Sequence, residues 1–277
     1  MNYEAFRGKS VVITGASAGV GADVARAFAE HGARLMLVAR RKEPLKQIAA
    51  ELESKTDVCL MSLDVADIAG CSDLIKKAQY EYGGLNVLVN NAGAHHRGDL
   101  MGIDADDLGQ MIDVNLRAPI VLSRLAIPAI KESGGGAIVN VASIAGCTPV
   151  PGAATYSASK FGLRAFTLAL AEELRGTNVH VGAVSPGPID TGFIMDSIDE
   201  VTDLTFSQPM STAEEVADAV LRVAAGESVD IKMPKSSGVL ATIGYVFPSI
   251  SRALRPRLKK RGAKAKAMYK KRNAARQ

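Results

Sequence analysis

The sequence predicts an α/β fold: a single domain on a doubly wound, mostly parallel seven-stranded sheet with helices on both faces. Three observations carry this. Seven short apolar runs, rich in Val, Ile and Leu, recur along the 277 residues. Most are separated by enough chain for a crossover helix, which parallel neighbours require. A glycine-rich turn closes the first run, at the sheet edge where folds of this kind bind their ligands. A hydrophobic share of 47% over this length suits one generous core rather than two.

In order the runs are SVVITG at 10–15, RLMLVAR at 34–40, VCLMSLD at 58–64, LNVLVNNAG at 85–93, GAIVNVAS at 136–143, NVHVGAVSPG at 178–187 and SVDIKMP at 228–234. Continuous aliphatic composition marks strands buried on both faces. The segment after the first run shows the helical complement: Val20, Val24, Ala27 and Phe28 share one face, and Arg26 and Glu30 turn away. Residues 188–211 carry Phe193, Ile194, Met195 and Phe206 without clean periodicity, and are expected to form a lid beyond the carboxyl ends of the strands. Residues 1–234 are the expected body. Residues 235–277 are an extension in which an apolar segment, GVLATIGYVFPSI, precedes a basic tail.

The turn TGASAGVG spaces Gly15, Gly19 and Gly21 as G-x-x-x-G-x-G, with Ser17, Ala18 and Val20 between them. Such spacing lets the chain reverse and bring backbone amides, at the positive end of the next helix, against a pyrophosphate. A plain tight turn would ask for the same glycines. At the end of the second run an acidic side chain would bind an adenosine 2′-hydroxyl and repel a 2′-phosphate. LVARRKE offers Arg40 and Arg41 there instead, and guanidinium groups match phosphate oxygens. NADP(H) is therefore the preferred cofactor. NAD(H) is the alternative, if both arginines merely start the next helix.

In YSASK, Tyr156 and Lys160 are four apart and share a helix face. A free tyrosine titrates near 10 and is a poor acid or base at neutrality, but an adjacent ammonium lowers that value. Ser143 ends the fifth run at the same sheet edge, where its hydroxyl can bind a reacting oxygen or simply cap a turn. Asn115, in DVNLRAP on the helix before that run, reads by itself as a buried, satisfied helix residue. His95 and His96 follow NNAG close to the expected nicotinamide edge, a solvated loop reads at least as well, and neither is assigned to catalysis. Pro149, Val150, Pro151 and Gly152, with the four apolar lid residues, are expected to wall an apolar pocket. The absence of Arg or Lys from 188–211 argues against a small anionic substrate held by that loop, leaving hydrophobic ketones and alcohols.

Together these motifs resemble the classical short-chain dehydrogenases/reductases (SDR), a Rossmann-fold family, over roughly residues 8–234. TGASAGVG resembles the family's cofactor turn, LDV its adenine contact at Asp64 and Val65, NNAG its strand-four motif at 90–93, and PGPIDT its segment beside the nicotinamide. The resemblance implies Tyr156 as acid/base, Lys160 as the group that lowers its pKa and holds the nicotinamide ribose, and Ser143 as donor to the substrate oxygen. It further implies that Asn115 supports a water-mediated proton path to Lys160. Ala92, Gly93, Pro186, Gly187, Ile189 and Thr191 become cofactor contacts, and Asn91 a brace for the sheet. One departure is Ala18, where many NADP-preferring members carry a basic residue. Arg40 is left with most of the preference, helped by Ser17 and Arg41. Family members associate through the helices carrying the asparagine and the tyrosine, which implies a homodimer or homotetramer.

The net charge of +4 conceals an asymmetry: from Arg252 to Gln277 there are 12 Lys or Arg and no acid, and the remainder carries 21 basic against 29 acidic residues, or −8. Such a block reads as a solvated tail or as a patch for an anionic membrane surface. Nucleic acid is a weaker partner, since the tail has one aromatic, Tyr269, and no binding module. Three unpaired cysteines suggest neither disulfides nor zinc, and no apolar stretch reaches the roughly 18 residues of a spanning helix. The expectation is a cytoplasmic oxidoreductase, peripheral on the membrane if the basic block binds there. A catalytically idle NADP(H)-binding sensor or scaffold is the alternative, and the complete Asn-Ser-Tyr-Lys set favours the enzyme.

Overall fold

Each aliphatic run becomes a strand. The computed structural model describes residues 3–274, with side chains through Arg272. The chain runs β1 (Ser10–Thr14), α1 (Gly19–Glu30), β2 (Arg34–Ala39), α2 (Lys42–Leu52), β3 (Val58–Ser62), α3 (Ile68–Tyr82) and β4 (Val87–Asn90). It continues through α4 (Ala105–Ile112), α5 (Ala118–Glu132), β5 (Gly136–Val141), α6 (Ala154–Glu173) and β6 (Val179–Pro186). The last elements are α7 (Gly192–Met195), α8 (Ala213–Ala224), β7 (Asp230–Met233), α9 (Lys235–Val246) and α10 (Pro248–Ala274).

The sheet is ordered β3-β2-β1-β4-β5-β6-β7, and every pair is parallel, more uniform than the mostly parallel sheet expected. Because side chains alternate across a strand, both faces must be covered. Val11 and Ile13 face Phe28, Leu45 and Val220 of α1, α2 and α8. Val12 faces the opposite layer with Leu74, Leu122 and Ile130 of α3 and α5. After β3 the chain returns to lay β4 on the other side of β1. That reversal opens a crevice at the carboxyl ends of β1 and β4.

Three local features lay beyond the hydrophobic pattern. Asp113–Arg117, between α4 and α5, is a π turn carrying Asn115. On the lid, Met195 and Phe206 do not wall the pocket as expected; they cluster with Ile194, Ile198 and Val201 against Ala265 and Tyr269 of α10. The basic segment, read from sequence as either a solvated tail or a patch for an anionic surface, is a helix whose second half docks on that lid. A Cβ at Gly262 would stand 1.8 Å from the Asp203 carbonyl oxygen, so only glycine permits the approach. Lys266 donates to the Asp199 and Val201 carbonyls at 3.1 and 2.6 Å, and Lys270 and Arg272 pair with Asp199 and Asp190. Arg276, counted in the basic block, lies outside the described residues.

Candidate active site

A cavity of about 1060 Å³ lies beyond the carboxyl ends of the central strands. Of the 21 catalytic and cofactor-binding residues expected from the sequence, 20 line it and Asn115 does not.

One end is built by the glycine turn. Gly15 and Gly19 adopt left-handed backbone, at φ 67° and 53°. A Cβ at Gly21 would fall 2.1 Å from the Gly15 carbonyl oxygen, so helix and turn can close only on glycine there. Ala18 occupies the cap position of α1 with no side-chain hydrogen bond, and the first helical N–H groups meet the cavity without a side-chain acceptor. Asn91 Nδ2 donates to the Thr14 and Gly15 carbonyls at 3.0 and 3.2 Å, bracing β4 against the turn. Ser17, Val20, Ala92 and Gly93 line the same end. Arg40 and Arg41 flank it, with Asp64 and Val65 opposite. Arg40 approaches Asp64 only to 3.9 Å, and both side chains are solvent-exposed. Pro186, Gly187, Ile189 and Thr191 bridge to the other end, where Gly187 N donates to Met233 O at 2.7 Å and Ile189 pairs with Ser211.

The second end holds the titratable groups. Ser143 Oγ accepts from Ala145 N at 3.1 Å, capping a 3₁₀ turn, and the residue lines the cavity together with Tyr156. Lys160 is buried, and its Nζ donates to the Val141 carbonyl at 2.9 Å while lying 5.9 Å from the Tyr156 ring centre. Burial pulls the ammonium down to about 8. The expected depression of Tyr156 is not the balance in this structure. Desolvation holds the phenol above its ordinary value, and the Ser143 hydroxyl and the Arg97 charge pull against it. Asn115 is fully engaged: Oδ1 accepts from Ala94 N at 2.8 Å, and Nδ2 donates to Ala94 O at 2.8 Å and Ser159 Oγ at 3.1 Å. It fastens the loop after β4 to the helix that carries Tyr156. Pro149, Val150, Phe193 and Ile194 provide apolar wall, whereas Pro151 and Gly152 lie outside the cavity.

Of the two readings the sequence left for His95, the cavity edge and a solvated loop, the structure shows the first. The His95 ring stacks on Tyr156, centroids 4.0 Å apart and planes 11° from parallel. Arg97 N–H lies 2.9 Å from His95 Nδ1. A guanidinium can only donate, so Nδ1 is the acceptor and Nε2 carries the proton. That Nε2 is buried with no partner. Burial, chiefly, and the Arg97 charge push the imidazole down to about 3, so it is neutral at physiological pH. Arg97 also donates to Phe193 O at 2.8 Å and Ser197 Oγ at 3.2 Å, tying this pair to the lid. Cations therefore reach the cavity from Arg97, Arg255 and Arg261, although 188–211 contains none. The signal available in the sequence was the i, i+2 spacing of His95 and Arg97 just past β4, which places both on one side wherever the chain continues as a strand would.

Residues 9–202 match the family model for short chain dehydrogenase. The chain belongs to the short-chain dehydrogenase family. An uncharacterized oxidoreductase of Staphylococcus aureus strain USA300 is 34% identical over 212 residues, covering 76% of this chain and 90% of that protein. Ketoacyl reductase HetN of Nostoc sp. strain PCC 7120 is 32% identical over 250 residues, covering 87% of this chain and 86% of its own. As a short-chain dehydrogenase the chain is an oxidoreductase that takes NAD(P)(H) and a small-molecule substrate. The residues present fit such a dinucleotide: a turn that closes on the helix only because Gly21 has no Cβ, and a helix N-terminus with no side-chain cap facing the cavity.

Proposed function

We propose that this short-chain dehydrogenase works with NADP(H) on a hydrophobic substrate, interconverting a carbonyl and the matching alcohol. One juxtaposition carries the reading. Tyr156, Ser143 and Lys160 converge at the apolar end of the cavity whose other end is the glycine cradle beside Arg40 and Arg41. The name of the Nostoc relative, a ketoacyl reductase, supports carbonyl chemistry.

The nicotinamide, when bound, supplies or accepts the hydride at the substrate carbon. Tyr156 gives its phenolic proton to the substrate oxygen in reduction and takes it back in oxidation. Ser143 and the His95 Nε2–H hold that oxygen by donating to it, which stabilises the charge it gains. His95 stays neutral and so does not compete for the proton. Lys160 spends one N–H on Val141 and keeps two for ribose hydroxyls; its charge favours the phenolate left when the proton departs. Asn115 keeps the loop after β4 in register with α6, which positions both. Gly15, Gly19 and Gly21 hold the pyrophosphate, Asp64 and Val65 the adenine, and Ile189 and Thr191 the carboxamide. Exposed Ala158, Ala165 and Ala169 give α6 a flat outer face that supports a dimer or tetramer through this helix.

The 2′-phosphate falls to Arg40, helped by Ser17 and Arg41. Steady-state kinetics with both cofactors test this: the wild type favours NADPH, and Arg40→Ala raises KM for NADPH by roughly 10- to 100-fold, the worth of one charge-assisted contact, with little change for NADH. Equal use of NADH by the wild type would overturn the assignment.

A further inference from the structure

We propose that the corner between α9 and α10 docks on an anionic lipid bilayer, and that the cavity takes its substrate through that face. The inference rests on the reading of the cavity as a site for a hydrophobic carbonyl or alcohol. Thirteen large apolar side chains are exposed among the described residues, and seven of them fall in the short stretch 239–250. Three of the seven, Leu240, Ile243 and Ile250, also line the cavity, so its mouth is the same apolar surface. Val239, Val246 and Phe247 extend the patch away from the cavity and are 61%, 58% and 54% exposed. Water gains nothing from such a cluster, and a patch this contiguous marks a docking face.

The surrounding charge selects the occupant. No Asp or Glu follows Asp230 in the sequence. Arg252, Arg257, Lys259 and Lys260 stand exposed on α10 immediately after the apolar corner, and Arg255 and Arg261, which form no ion pair among the described residues, bring cations to the cavity wall. A second copy related by a two-fold axis would set this basic segment against itself. Anionic headgroups supply the missing counter-charge, and the apolar corner enters the acyl boundary. Among the described residues no helix is long and apolar enough to cross a membrane, so the contact is peripheral. A bilayer-partitioning substrate then passes between Leu240, Ile243 and Ile250 without leaving an apolar environment.

Flotation on phosphatidylglycerol and phosphatidylcholine vesicles tests this, paired with turnover of two ketones, one water-soluble and one long-chain and carried in the vesicles. The wild type is expected to bind phosphatidylglycerol vesicles at least about tenfold more tightly than phosphatidylcholine, less so at high salt. Val239→Ser/Val246→Ser/Phe247→Ser weakens vesicle binding by about tenfold or more. It slows turnover of the vesicle-borne ketone and leaves the soluble one unchanged. Arg257→Gln/Lys259→Gln/Lys260→Gln removes the preference for anionic lipid. Equal flotation of wild type and the triple Ser variant overturns the proposal. So does a change of molar mass by light scattering in that variant without a change in vesicle binding, which would assign the patch to a second copy. Failure of the wild type to turn over either ketone counts against the carbonyl reading of the cavity instead, and vesicle binding is still scored.

Discussion

At the scale of single residues, burial sets the properties of the site as much as charge does. Tyr156 is held up and Lys160 is drawn to about 8 by the same desolvation. In the proposed mechanism Tyr156 therefore keeps its proton until substrate arrives. His95 shows the effect on stability. Its folded pKa of about 3 lies below the ordinary 6.5, so the folded chain binds fewer protons than the unfolded chain between those values. The stabilisation is therefore complete above pH 6.5 and is lost as pH falls toward 3. Urea unfolding of wild type and His95→Phe across this range measures it. By pH 5 the wild type should lose about 2 kcal/mol more than the variant, relative to pH 7.5. Parallel pH curves would show that the ring is not buried as a neutral base. The kinetic counterpart is that no limb near pH 6.5 in the wild-type rate profile disappears in His95→Phe.

At the scale of elements, strands were legible and junctions were not. Strand composition follows from burial on both faces, and Val11, Val12 and Ile13 could be placed from composition alone. The glycine turn was equally legible, because Gly15 and Gly21 answer to local backbone geometry and to a neighbour a few residues away. Asn115 was found, but not its π turn, since one extra residue within a helix leaves the apolar pattern nearly intact. The docking of α10 escaped for a different reason. A run of lysines and arginines looks the same solvated or pinned, and its partners Asp190, Asp199 and Asp203 lie more than 60 residues earlier. Gly262 tests that docking. In Gly262→Ala the methyl group meets the Asp203 carbonyl, so α10 should lift from the lid. Limited proteolysis is expected to cut α10 faster by about tenfold, corresponding to about 1.4 kcal/mol of opening. An unchanged cleavage rate would mean that the helix is held elsewhere.

At the scale of the whole molecule, the sheet brings together residues spread from Gly15 to Arg261 by ending its central strands at one edge. Ser143, Tyr156 and Lys160 were legible as a set because order, spacing and sheet edge agree, where each alone would pass for a cap, a surface aromatic or a helix cation. His95 was not, because stacking on Tyr156 depends on how the loop after β4 folds over α6. The charge asymmetry also acts at this scale: the acidic lid carboxylates hold part of the basic helix and leave the rest at the apolar mouth of the cavity. The central claim is that Tyr156 moves the proton within an intact NADP(H) site. Single-turnover reduction of a hydrophobic ketone by wild type and Tyr156→Phe, with NADPH affinity measured by nucleotide fluorescence on the same samples, tests it most directly. The expected result is a rate lower by about 10²- to 10⁴-fold with NADPH affinity retained. A variant that turns over the ketone at the wild-type rate, with NADPH bound, would contradict it.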